Sequence, residues 1–358
     1  MTWHDNSFLR GDRSMTIIDL RSDTVTLPTQ AMRDATYNSE FGDDVYGEDL
    51  STIRLEEMAA SLMGKEAALL VSSGTMGNLV SLLTHCRRGD EVILGSEAHI
   101  FHYEAGGMAA LGGMFPHLVP NQPDGTMLID DIEGAIRGDD VHFPRTRLIC
   151  IENTHNRCNG IPLTPEYTDS VVKLANNYGL KVHLDGARIF NAAVSLDVEA
   201  TDLTRGVDSV SFCLSKGLSA PIGSVLCGSK RFIAEARRIR KILGGGMRQT
   251  GVIAAAGIVA LDEMRERLAE DHSNARRFAE GIAEIPGFSV NLEHVKTNIV
   301  FFNRVDDRIS DEDVLTRADE RGLKFLSLGP SRFRIVTHYG IDAVDVDRAL
   351  EVLRDVMK

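Results

Sequence analysis

The stretch Val210-Ser211-Phe212-Cys213-Leu214-Ser215-Lys216-Gly217-Leu218 is apolar and β-prone at first, then delivers a serine, a lysine and a glycine. An earlier segment, Val182-His183-Leu184-Asp185-Gly186-Ala187-Arg188, is built the same way and delivers an acid and an arginine. Short apolar runs closed by glycine turns read as buried strands, and open α/β sheets keep their ligands just past the carboxyl ends of such strands. Working outward, Ala67 to Ser72, Glu91 to Leu94, Arg147 to Ile151, Lys181 to Leu184, Ser209 to Cys213 and Ser224 to Cys227 are the strand candidates. Helix-periodic stretches such as Thr75 to Thr84 and Glu166 to Asn177 lie between them. This alternation predicts an α/β fold, doubly wound around a mainly parallel sheet.

Beyond Gly244-Gly245-Gly246 the character changes. An Ala- and Glu-rich region from Gln249 through Ile285 reads as helical, with a break expected near Glu270-Asp271-His272-Ser273, where a new helix could be capped, and a stop at Pro286-Gly287. Strands at Thr297 to Phe302 and Phe333 to Thr337, with helices at Asp311 to Arg321 and Asp345 to Val356, suit a small C-terminal α+β domain. A chain of 358 residues exceeds the usual single core, so the expected division is an N-terminal arm and large domain over 1–265 and a small domain over 266–358.

Composition narrows the partners. A formal charge of -13 without a basic tract argues against nucleic acid. No apolar run approaches the roughly 20 residues that span a bilayer. Cys86, Cys150, Cys158, Cys213 and Cys227 are scattered without CxxC spacing, which suggests free thiols in a reducing, cytoplasmic compartment and neither a disulfide framework nor a zinc site. Met1 to Arg13 lacks the apolar core of a secretory signal, and Met15 is a possible alternative start that would make residues 1–14 an extension.

The chemistry rests on Lys216 and Asp185. A lysine with an ordinary pKa near 10.4 is almost wholly protonated at neutral pH, so a nucleophilic one needs a lowered pKa or must be stored as an imine. A carboxylate beside a pyridine nitrogen holds that nitrogen protonated, and the pair together meets the needs of pyridoxal 5'-phosphate (PLP). Ser73-Gly74-Thr75-Met76-Gly77-Asn78, between a strand and a helix, offers backbone amides to a phosphate, while the dinucleotide and P-loop fingerprints are missing. Taken singly, each element has a plainer reading: a solvated lysine, a helix-capping Asp185, a salt-bridged Arg188, an ordinary strand-to-helix turn.

Six segments taken together are more specific. Asp19-Leu20-Arg21-Ser22-Asp23-Thr24-Val25-Thr26, Gly42-Asp43-Asp44-Val45-Tyr46-Gly47, Glu152-Asn153-Thr154-His155-Asn156, His183-Leu184-Asp185-Gly186-Ala187-Arg188, Leu214-Ser215-Lys216-Gly217-Leu218 and Gly244-Gly245-Gly246-Met247-Arg248-Gln249 make the chain resemble the threonine aldolases. The resemblance implies a PLP-dependent enzyme of fold type I, like aspartate aminotransferase, that splits a β-hydroxy-α-amino acid, L-threonine or L-allo-threonine, into glycine and acetaldehyde. Lys216 would hold the cofactor as an aldimine and the glycine fragment would leave as a quinonoid carbanion. Asp185 would bind the pyridine nitrogen and His99 would stack on the ring. Gly74 and Thr75 would contact the phosphate, with Ser215 and Arg188 also at the cofactor. Ser22, Arg188 and Arg334 would hold the substrate carboxylate. Arg248, a further cofactor-binding residue, and Lys241 would reach toward the active site of a neighbouring subunit, making a homodimer the minimal unit and a tetramer the expected assembly. Tyr46 and Tyr103 would line the substrate pocket or the subunit interface. His99 and His142 are both candidates for the base that takes the β-hydroxyl proton. Another PLP reaction, β-elimination in particular, and a catalytically silent scaffold are the alternatives. The loop from Asn156 to Pro162 is longer than the commonest bacterial pattern.

Overall fold

The computed structural model describes residues 17–358, so the possible start at Met15 and the extension over 1–14 lie outside the described residues. The central sheet has seven strands in the order Ala67–Val71, Ser224–Gly228, Ser209–Cys213, Lys181–Asp185, Thr146–Glu152, Glu91–Gly95, Phe115–Val119. All neighbours run parallel except Ser224–Gly228, which is antiparallel to both of its partners. Glu91–Gly95, Ser209–Cys213 and Ser224–Gly228 are buried along their whole length, because helices cover both faces of the sheet. The register sets Glu152 beside Asp185, and Asp185 beside Ser211. Three neighbouring strands therefore end side by side at the positions that carry chemistry.

The edge strand Phe115–Val119 was not anticipated. It contains Pro116 and is only partly buried, and an edge is where a strand tolerates proline, since one side of its ladder needs no N–H partner. The helical region after the triple glycine also differs from expectation. It forms Gly251–Glu263 and Leu268–Ala283, with the break at 264–267 rather than at Glu270–Ser273. The Asp271 side chain accepts from Arg267 Nη2 at 2.6 Å, one turn back, and so serves as an intrahelical partner instead of a new cap.

A second, four-stranded antiparallel sheet has the order Leu326–Ser327, Arg332–Val336, Ile299–Arg304, Phe288–Ser289. Its core centres on Phe278, Phe288, Phe302, Phe325 and Phe333, which pack largely edge to face. Ile18 and Leu20 are buried in this second core, and Ile18–Asp19 pairs in parallel with Leu323–Lys324. The chain then turns toward the main sheet and carries Ser22, Asp23 and Thr24 into the space between the two cores. All five cysteines are buried and free, and among the described residues no helix is long and apolar enough to cross a membrane.

Candidate active site

A cavity of about 300 Å3 opens at the carboxyl ends of the central strands, and Ser22, His99, Tyr103, Arg188, Lys216 and Arg334 all line it, along with Asn156. A larger hollow of about 920 Å3, lined by Lys65, Lys181 and Asp208 among others, lies at the amino ends of the same strands. The smaller cavity is the candidate because the convergent polar groups are there, at the end of the sheet that α/β proteins use.

Asp185 is buried at the carboxyl end of its strand, its Oδ2 accepting from Asn78 Nδ2 at 2.8 Å and its Oδ1 from the Ala187 amide at 3.1 Å. Lys216 follows the next strand, held in a turn by the Ser219 amide and the Thr26 hydroxyl, both of which donate to its carbonyl. Its ammonium has no hydrogen-bond or ion-pair partner among the described residues, although it faces the cavity. The helix Gly74–His85 starts close by, capped by Ser73 Oγ accepting from the Met76 amide. A Cβ on Gly74 would lie 2.9 Å from Cys213 Sγ, so glycine lets this helix start press against the strand that leads to Lys216. The amides of Gly74 and Thr75, in the first turn, have no partner among the described residues. A partnerless amine, a buried carboxylate and free first-turn amides fit the amine-linked, pyridine-bearing, phosphorylated cofactor that the sequence implied.

His99 projects from a short helix, its amide donating to Glu152 Oε2 at 2.8 Å and its Nδ1 to Glu104 Oε1 at 2.9 Å. Burial pulls its pKa down, but the Glu104 bond and the charges of Asp185 and Glu152 outweigh this and leave it raised.

One wall of the cavity is cationic. Arg188 is buried and donates through Nε and Nη2 to the two oxygens of Asp23, each at 2.7 Å. Its remaining Nη1 points to Asn156 Oδ1 at 3.5 Å, and Arg334 Nη1 donates to the same oxygen at 3.1 Å. Burial, together with the neighbouring Arg188 charge, pushes Arg334 down to about 10, and its Nε is buried without a partner among the described residues. Two guanidinium groups crowded onto one neutral amide oxygen make a receptor for an anion, and a carboxylate suits their fork geometry.

Other expected residues lie elsewhere. His142 is 81% exposed, its Nδ1 bonded to Asp140 at 2.7 Å. Tyr46 is 75% exposed and Arg248 pairs with Asp43 at 3.0 Å. Neither these three nor Gly74, Thr75, Asp185 and Ser215 line the cavity within one chain. Asn78, Glu104, Asp23 and Asn156 emerge from the structure. Asn78, Asp23 and Asn156 sit inside segments already singled out, but nothing in Glu104's own neighbourhood marks it.

The beta-eliminating lyase family matches residues 19–304. The chain is 49% identical over 343 residues to a probable low-specificity L-threonine aldolase 2 of Arabidopsis thaliana, covering 95% of this chain and 97% of the relative. It is 43% identical to the low specificity L-threonine aldolase of Escherichia coli K12, covering 91% and 95%. Among solved structures, a threonine aldolase of Leishmania major superposes with a TM-score of 0.80 at 21% identity, covering 94% of this chain and 99% of that one. A serine palmitoyltransferase of Sphingomonas wittichii superposes at 0.75, with 17% identity and 99% and 92% coverage, which shows that the architecture extends well beyond aldolases. The fold and site thus define a lyase of the PLP-dependent fold-type I class. Within that class, the chain belongs to the low-specificity L-threonine aldolase family.

Proposed function

We propose that this enzyme cleaves L-threonine, L-allo-threonine or both between Cα and Cβ to give glycine and acetaldehyde. The observation that carries this reading is the convergence of the Lys216 amine and the Arg188–Arg334 pair on one cavity, with the buried Asp185 carboxylate three residues before Arg188 at the end of the same strand. Relatives named for threonine aldolase activity support the same substrate.

Lys216 would hold PLP, Asp185 would face its ring nitrogen, and the amides of Gly74 and Thr75 would take its phosphate. When bound, PLP supplies a ring that can accept the electron pair left on the glycine fragment. The protein's own groups do the rest. Arg334, Ser22 and the Nη1 of Arg188, the one arm that Asp23 leaves unoccupied, grip the substrate carboxylate and thereby set the angle of the Cα–Cβ bond. His99, fixed at Nδ1 by Glu104, presents Nε2 as the acceptor of the β-hydroxyl proton, and Glu104 stabilises the imidazolium that results. His142, exposed on its own subunit, can serve only across a subunit boundary.

A dimer is the minimal unit of this reading, and the tetramer its expected assembly. Tyr37, Phe41, Tyr46, Leu50 and Ile242 are exposed large apolar side chains of the kind that burial against a second copy would cover. A large domain over 1–265 and a small one over 266–358 belong to the same reading; the two larger sheets fall on either side of that division and support it, while Ile18–Asp19 pairs with Leu323–Lys324 across it. Five buried free thiols suit the cytoplasm.

The test is an absorbance spectrum of the wild type and a Lys216→Ala variant, before and after addition of L-threonine or L-allo-threonine, with acetaldehyde assayed in parallel. A cofactor band altered in the variant, with acetaldehyde from either amino acid, is expected. A 2-oxo acid with ammonia in place of acetaldehyde would instead mean β-elimination.

A further inference from the structure

One buried amide joins the carboxylates of Asp185 and Glu104. Asn78 Nδ2 donates to Asp185 Oδ2 and to Glu104 Oε1, both at 2.8 Å, while its Oδ1 accepts from Ser211 Oγ at 2.8 Å and from His183 Nε2 at 3.1 Å. Every donor of this side chain is used and its oxygen accepts twice. The two carboxylates fix the amide's orientation, because an oxygen turned toward them would meet no donor. That orientation also determines the His183 tautomer. Asn78 Oδ1 cannot donate, so His183 Nε2 carries the proton, and Nδ1 accepts from Ser81 or Ser209, whose hydroxyls both lie at 2.9 Å. Burial pulls His183 down to about 4, so it contributes a neutral donor at neutral pH.

We propose that Asn78 is a positioning residue that sets the protonation of His99 and the pose of Asp185 together, by acting as the shared donor to Glu104 and Asp185. The groups whose charges bear on His99 are Glu104, Asp185, Glu152 and Lys216, and Asn78 bonds to the first two. Burial and the nearby Asp185 charge favour the protonated form of Glu104, which the bonds from His99 and Asn78 oppose. Removing Asn78 tips Glu104 toward its neutral form, deprives His99 of its anionic partner and releases one oxygen of Asp185. The Asp185 half rests on that residue's assignment to the cofactor ring; the Glu104–His99 half does not.

The experiment uses Asn78→Ser and Asn78→Asp. His99 is titrated by NMR in protein carrying 13C-labelled histidine, assigned through His99→Gln, and PLP affinity is read by absorbance titration of the apoprotein. For Asn78→Ser, the His99 midpoint should fall by about one pH unit and PLP should bind about tenfold more weakly, the scale of one lost hydrogen bond to a charged group. Asn78→Asp is close to isosteric but sets a third carboxyl group against two, so it should weaken PLP binding more than the smaller serine does. A residue that only fills space predicts the reverse order and an unmoved His99 midpoint, and either result overturns the proposal. Should both variants fail to fold, the wild type still decides: the Asn78 side-chain amide protons must titrate with the His99 midpoint, and their indifference to it sinks the idea. If the wild type takes up no PLP, the functional reading fails, and the His99 titration still judges Asn78 independently.

Discussion

Asp23 binds Arg188 at both ends, 2.7 Å to Nε and 2.7 Å to Nη2, so that only one arm of this buried guanidinium faces the cavity. Asp23 arrives on the segment that leaves the second core, whereas Arg188 follows the strand that carries Asp185. The pair therefore fastens the N-terminal segment to the site. Burial disfavours the ionised Asp23, but Arg188 overrides it and holds the carboxyl far below the usual range.

Replacing Asp23 by Ala leaves Arg188 buried and unpaired, which costs about 3–5 kcal/mol. Urea unfolding should show this loss. Because the folded pKa of Asp23 is depressed, its contribution is complete above the unfolded value near 3.9 and disappears as pH falls below it. The wild type should accordingly lose stability below about pH 4 more steeply than the variant.

Arg334→Ala should lower kcat/KM by about tenfold to a hundredfold, mostly through KM, as expected when a charged hydrogen bond to a substrate carboxylate is removed. Arg334→Lys keeps the charge but loses the fork, and should fall in between. An unchanged KM in the alanine variant would remove Arg334 from the carboxylate site.

His183 is fully buried and its folded pKa, about 4, lies below its unfolded value near 6.5. The unfolded chain takes up a proton that the folded one refuses, so the His183 contribution is complete above pH 6.5 and is lost as pH falls toward 4, at up to about 1.4 kcal/mol per pH unit. Asp271, pushed up to about 6 by burial, works in the opposite direction between that pH and its unfolded value. Thermal melts from pH 7 to 4 should decline less steeply for His183→Gln than for the wild type.

Lys216→Ala and Arg248→Ala should each be inactive or nearly so as homo-oligomers. If Arg248 completes a neighbour's site, unfolding and refolding the two together should restore activity, since one hybrid site then holds both wild-type residues. No recovery on mixing, in hybrids verified by mass, would confine Arg248 to a role within its own subunit.

Much of this is legible in the sequence. The strands ending near Ser72, Asp185 and Cys213 are short β-prone runs closed by turn residues, and their apolar positions can be satisfied only inside a covered sheet. Lys216 and Asp185 could be read as a pair because each closes such a run. The edge strand Phe115–Val119 was invisible because its proline and partial exposure carry no strand period. The helix break was misplaced because Asp271 has the chemistry of a cap, and only its bond to Arg267 shows which use it has.

By itself, then, the sequence determined the fold class and the residue types at the strand ends, since hydrophobic period and glycine placement are local properties written into consecutive residues. The tertiary structure alone decided that Asp23 occupies two nitrogens of Arg188, that Asn156 lies between two arginines, and that Asn78 bonds to both Asp185 and Glu104. These contacts join residues far apart in the chain. Hydrogen-bond partners are chosen by distance and angle after the sheets have packed, and no period along the chain encodes that choice.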